Sequence, residues 1–71
     1  MMVSEQDFRY MVEGLTADLV RLLIEREGYN IQSAIDAVYQ SKTFAALNRP
    51  QTGLYFQSPN YVFSFLKEEL D

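Results

Sequence analysis

Two closely spaced carboxylate pairs, Glu25/Glu27 and Glu68/Glu69, have the most obvious capacity for chemistry in this chain. A pair of carboxyl groups can divide general acid and base roles, or hold a hard divalent cation. Both pairs fall at the expected ends of helices, where solvated acids are ordinary occupants. Neither pair has help nearby. The sequence contains no histidine and no cysteine, so nucleophilic triads, imidazole bases, thiolate metal sites and disulfides have no residues to draw on. Serine and tyrosine hydroxyls are present without a base to activate them. Gly14, Gly28 and Gly53 stand alone, which leaves no glycine-rich phosphate loop. The expectation is a protein with no enzyme activity, no cofactor and no bound metal.

The totals point toward binding. A chain of 71 residues makes one small domain spanning residues 1–71. Such a domain buries only about 60% of the surface its unfolded chain exposes, and is marginal without reinforcement. Disulfides and thiolate metals are excluded by composition, so association with another chain is the remaining route. Hydrophobic residues make up 48% of the sequence, with five Tyr and five Phe, which is generous for one thin core. The formal net charge is −4, and the six basic residues are scattered at Arg9, Arg21, Arg26, Lys42, Arg49 and Lys67. That pattern argues against nucleic acid and against an anionic membrane surface. No apolar run approaches the ~20 residues needed to span a bilayer, and no basic-then-apolar leader is apparent, so a cytoplasmic location is expected.

The residues that could bind must be positioned by helices, and the fold class expected is all-α: three main helices and one short one, with the first at the centre. Ser4 to Glu27 reads as one long helix. Phe8, Met11, Val12, Leu15, Leu19, Leu22 and Leu23 recur at helical spacing as a buried stripe. Tyr10, Ala17, Val20 and Ile24 form a second stripe roughly opposite. Ser4 is placed as N-cap with Asp7 three residues on, and Val3 and Phe8 occupy the two positions of a hydrophobic staple, although Met1 to Val3 are expected to fray. A mid-helix glycine costs about 1 kcal/mol relative to Ala. Gly14 therefore predicts either a break near Thr16 or a close-packed backbone, and the unbroken phase of the core stripe favours a continuous helix. Gly28 is placed to end the helix in the left-handed conformation and Asn30 to cap the next.

The second helix is expected over about Ile31 to Gln40, with Ile31, Ala34, Ile35, Val38 and Tyr39 as its apolar stripe. A break near Ser41 and a short helix from about Lys42 to Leu47 follow, ended by Asn48. Arg49 to Gly53 reads as turn and loop. Leu54-Tyr55-Phe56 is expected to lie extended across the helices. Ser58-Pro59 is a helix start, and the last helix should run from about Pro59 to Leu70 with Tyr61, Val62, Phe65, Leu66 and Leu70 on its apolar face and Phe63 at the edge. Its acidic end, Lys67 to Asp71, is expected to fray.

Candidate binding residues are the large apolar side chains without a secure place in a core stripe. Tyr and Phe are typical interface anchors. Tyr55, Phe56 and Phe63 qualify, as do Tyr10, Ala17, Val20 and Ile24 of the second stripe. That stripe is to be covered either by the 54–56 segment or by another chain. A homodimer is the favoured assembly. The alternative is a small-molecule site, an aromatic pocket lined by Tyr10, Tyr29, Tyr39, Tyr55, Tyr61, Phe56 and Phe63.

The stretch Ala34-Ile35-Asp36-Ala37-Val38-Tyr39-Gln40-Ser41-Lys42-Thr43-Phe44, with Thr52-Gly53-Leu54-Tyr55-Phe56-Gln57-Ser58-Pro59-Asn60-Tyr61 after it, resembles a family of short uncharacterised bacterial proteins. They carry a similar segment after a long first helix, and often end in an acidic helix. Some members are thought to be encoded beside predicted toxin genes. The resemblance implies an antitoxin-like or accessory binding role with a neighbouring gene product, and it carries over no site residues.

Overall fold

A computed structural model describes residues 3–71, so Met1 and Met2 lie outside the described residues. The order is α1 (Glu5–Glu27), α2 (Ile31–Tyr39), α3 (Lys42–Leu47), two 3-10 turns (Pro50–Thr52 and Leu54–Phe56) and α4 (Pro59–Leu70). The fold is all-α, with no strand among the described residues. The particle measures 37 × 19 × 19 Å, its long dimension close to that of α1 itself.

Each α-helix begins on the capping side chain that its sequence supplies. The Asp7 amide donates to Ser4 Oγ (3.0 Å), Ser33 to Asn30 Oδ1 (2.8 Å), Phe44 to Ser41 Oγ (2.9 Å) and Tyr61 to Ser58 Oγ (3.2 Å). These bonds satisfy amides that an α-helix leaves unpaired in its first turn. α1 ends where Gly28 turns left-handed (φ 75°), with the amides of Gly28 and Tyr29 both returning to the Leu23 carbonyl. Only Gly28, Tyr29 and Asn30 separate α1 from α2, so the two form an antiparallel hairpin.

α1 crosses Gly14 without a break. Outside the helix's own backbone, no atom of the described residues lies within 4 Å of where a Cβ would sit there, so no neighbour among them requires the glycine. Val12, Leu15, Leu19, Leu22 and Leu23 bury the first stripe, with Phe8 and Met11 at its half-buried end. Thr16 joins them, its hydroxyl donating to the Val12 carbonyl at 2.7 Å. α2 packs along one flank of α1 and α4 along another, while α3 packs on α4. Ala34, Val38, Leu47, Tyr55, Val62, Phe63 and Leu66 complete the core. Val3 is half-buried against it, which corrects the expectation of fraying at that residue.

Three further expectations are corrected. Leu54-Tyr55-Phe56 is a 3-10 turn and not an extended segment. Thr52 fixes its entry, with its hydroxyl reaching the carbonyls of Ala46 (2.7 Å) and Arg49 (2.9 Å) while accepting the Leu54 amide. Gly53 supplies the required positive φ of 71°. On α4 the buried face is rotated: Phe63 is 4% exposed and Phe65 is 41% exposed, the reverse of the expectation. Phe63 turns inward to the core and also lies under the Arg26 guanidinium of α1, 5.9 Å from the ring centroid. Phe65 instead makes an edge contact with Tyr61 on the outer surface (5.2 Å). The acidic end of α4 stays helical to Leu70 because its charges are used. Lys67 bridges Glu27 of α1 and Asp71, and the Glu69 carboxylate accepts from the Lys42 amide (2.7 Å), the Thr43 amide (2.9 Å) and the Thr43 hydroxyl (2.7 Å).

Candidate interaction face

The seven candidate residues separate into three groups. Tyr55 and Phe63 belong to the core, 7% and 4% exposed. Tyr55 packs edge-on against Phe8 at 5.0 Å, on the first stripe of α1. Its burial there removes it as a partner contact, and the same correction applies to Phe63. It also means that the 54–56 turn does not cover the second stripe. Phe56 stands apart, mostly exposed, with its ring against Gly53 and Tyr55.

Tyr10, Ala17, Val20 and Ile24 remain uncovered to different degrees. Tyr10 is 78% exposed, Ala17 and Ile24 are exposed and Val20 is half-buried. Turning 100° per residue, Val20 and Ile24 lie on the flank of α1 beside α2, whereas Tyr10 points farther round the helix. Ile31, Ile35 and Tyr39 of α2 come up beside that flank. Ile31 is 65% exposed, Tyr39 is exposed and Ile35 is half-buried. All three were expected in the buried stripe of α2, but only Ala34 and Val38 are fully buried there. A nine-residue helix laid on one neighbour buries a narrow arc. Five apolar positions spread over more than that arc were the available signal of an outward surplus.

The result is an apolar face on the α1–α2 hairpin, built from Val20, Ile24, Ile31, Ile35 and Tyr39. It continues into a groove of about 840 Å³ between α1, α2, α3 and the Pro50 turn. Phe8, Val12 and Thr16 form its floor from α1, and Phe44, Asn48 and Pro50 close its far wall. Tyr39 packs at a tilt of 41° against Phe44, with ring centroids 4.7 Å apart. Glu5, Arg9 and Glu13 line its α1 rim, with Arg9 paired to Glu5 at 3.5 Å. Of the seven aromatic residues expected to line a pocket, only Tyr39 is part of this groove.

Among the described residues no cluster of three or more acidic side chains could hold a metal ion. Glu69 has a perturbed titration. Burial pushes its pKa up, but the amides of Lys42 and Thr43 and the Thr43 hydroxyl outweigh that and hold it below the ordinary carboxylate value. All of its bonds cap α3, which identifies a structural clamp. No helix among the described residues is long and apolar enough to cross a membrane. Comparison with known proteins found no matching family model, no matching curated protein and no matching solved structure.

Proposed function

We propose that this protein is a non-enzymatic interaction module that associates with a second copy of itself through the hairpin face. One observation carries the reading: on two neighbouring helices Ile24, Ile31 and Tyr39 are exposed, and Val20 and Ile35 beside them are only half-buried. A contiguous apolar surface of this kind is typical of an association site, and a domain this small gains stability by covering it. The resemblance of residues 34–44 and 52–61 to short bacterial proteins, some of them thought to be encoded beside predicted toxin genes, adds a neighbouring gene product as a second partner, in an antitoxin-like or accessory role. Multi-angle light scattering and sedimentation from micromolar concentration upward test the reading. The expected species has twice the 8.3 kDa chain mass. A chain that keeps its single mass through the millimolar range overturns it.

A second reading, a small-molecule binder, has its own support. The groove of about 840 Å³ falls within the 300–1,000 Å³ range of ligand pockets, roughly speaking. Phe8, Val12, Phe44 and Tyr39 give it the apolar and aromatic lining such pockets have. A ligand that raises the melting temperature without changing the mass in solution would favour this reading over self-association.

A further inference from the structure

The charges bordering the hairpin face select one way of joining two copies. Arg21 lies on the edge of α1 away from α2, next to Ile24, and Asp36 lies on the edge of α2 away from α1, next to Tyr39. Both are exposed. Arg21 is six positions before Glu27, the last residue of α1, and Asp36 is five positions after Ile31, the first of α2. At 1.5 Å per residue they stand at nearly the same height above the turn, about 9 and about 7.5 Å. The apolar face thus has the Arg21 guanidinium, held between Asp18 and Glu25, on one edge and the Asp36 carboxylate on the other, level with each other and near mid-height.

Two-fold axes in the plane of this face come in two kinds. An axis across the helices sets α1 on α1 and α2 on α2, and brings Arg21 against Arg21 and Asp36 against Asp36. An axis along the hairpin keeps every height unchanged and exchanges the edges. It lays α2 of each copy antiparallel on α1 of the other, sets Ile31, Ile35 and Tyr39 over Val20 and Ile24, and brings each Arg21 to an Asp36. We infer that the protein forms an isologous four-helix dimer about the axis along the hairpin, closed by two reciprocal Arg21–Asp36 pairs. Arg21 already touches Asp18 (3.3 Å) and Glu25 (3.2 Å) within its own helix, and Asp36 accepts from Gln32 (3.1 Å). These contacts are exposed, and the long Arg21 and Gln32 side chains can turn away from them, Arg21 to meet a partner and Gln32 to free Asp36 for one. Unlike charges matched across an interface fix register, and like charges opposed across it are costly.

This inference rests on the self-association proposed above, and charge exchange separates the two. Arg21→Glu and Asp36→Arg should each weaken dimerisation by at least about tenfold, because each sets like charges in opposition twice per dimer. The double variant, Arg21→Glu with Asp36→Arg, should recover the wild-type dissociation constant to within about threefold. The repulsion that Arg21→Glu introduces against Asp18 and Glu25 remains in the double variant, so recovery cannot come from within the helix. Ile31→Glu is the second probe. It places an acid on an exposed first-turn position of α2, where the helix dipole favours one and none is present. It should keep full helical circular dichroism and lose the dimer. A wild-type chain that is monomeric throughout overturns self-association and this arrangement with it. A wild-type dimer that tolerates the single exchanges, or that the double exchange fails to restore, overturns the arrangement alone, and one that survives Ile31→Glu overturns the hairpin face as the interface as well.

Discussion

The α1–α2 hairpin and the segment from α3 to α4 are of similar length, but their ends are tied differently. The hairpin is specified locally. Ser4 and Asn30 cap their helices across three residues and Gly28 makes the turn between them. The second half also has local caps, at Ser41 and Ser58, but its closure depends on distant groups. Glu69 reaches back to Lys42 and Thr43, Lys67 reaches Glu27, and Tyr55 packs on Phe8. The difference teaches where surplus surface accumulates. The hairpin takes its shape from caps and a turn, so it can leave Ile24, Ile31 and Tyr39 uncovered. The α3–α4 half is held by contacts to the rest of the chain, and these draw Tyr55 and Phe63 inward.

Substitutions at three positions test this contrast, beginning with the largest effect. Leu19 is fully buried in the core that both halves share. Leu19→Ala should cost about 2–5 kcal/mol and lower the unfolding midpoint of the whole chain in one transition. Two separate transitions would show that the halves do not share a core. Glu69→Ala removes an acceptor from two amides and a hydroxyl and should cost about 1 kcal/mol in denaturant unfolding, as a lost helix cap does. Its pH dependence has a definite sign. The folded pKa lies below the 4.5 of an ordinary glutamate. The clamp therefore contributes fully above that value, and its contribution is lost as pH falls through the folded pKa. Glu69→Gln should flatten the stability profile in that acid range, and an unchanged slope would remove the clamp from the account. The smallest effect has the opposite sign. Gly14→Ala adds a methyl group into open space on an unbroken helix and should stabilise by about 0.5–1 kcal/mol. It lies nearly in line with Arg21 but two turns farther from the Gly28 turn, beyond the height of the nine-residue α2, so the dissociation constant should not move. A loss of dimer on Gly14→Ala would shift the interface toward the start of α1.

What could be read in advance follows the same division. The bounds of α1 and α4 were legible because Ser4, Gly28, Ser58 and Pro59 act on their immediate neighbours. The choice between Phe63 and Phe65 was not legible. Both fit an amphipathic twelve-residue helix, and the side that is buried depends on where α1 and its Arg26 lie. The Phe8 ring that holds the 54–56 turn is a contact of the folded chain, absent from any local pattern, whereas the Thr52 hydroxyl bonds to Arg49 and Leu54 are local and were a signal for a turn. Glu69 read as a solvated acid at a fraying end, since nothing near it in sequence shows that its partners lie 26 and 27 positions away. Of the candidate interaction face, Val20 and Ile24 were visible as an apolar stripe. Ile31 and Tyr39 were assigned to the core, because periodicity reports that a residue shares a face and not whether the face is filled.

The Glu69 clamp also orders events during synthesis. α3 emerges from the ribosome well before the acceptor for its first two amides, and until residue 69 follows it has only Ser41 to hold its start. A helix of six residues is too short to persist on its own. A chain truncated before residue 69 would therefore leave the start of α3 to Ser41 alone.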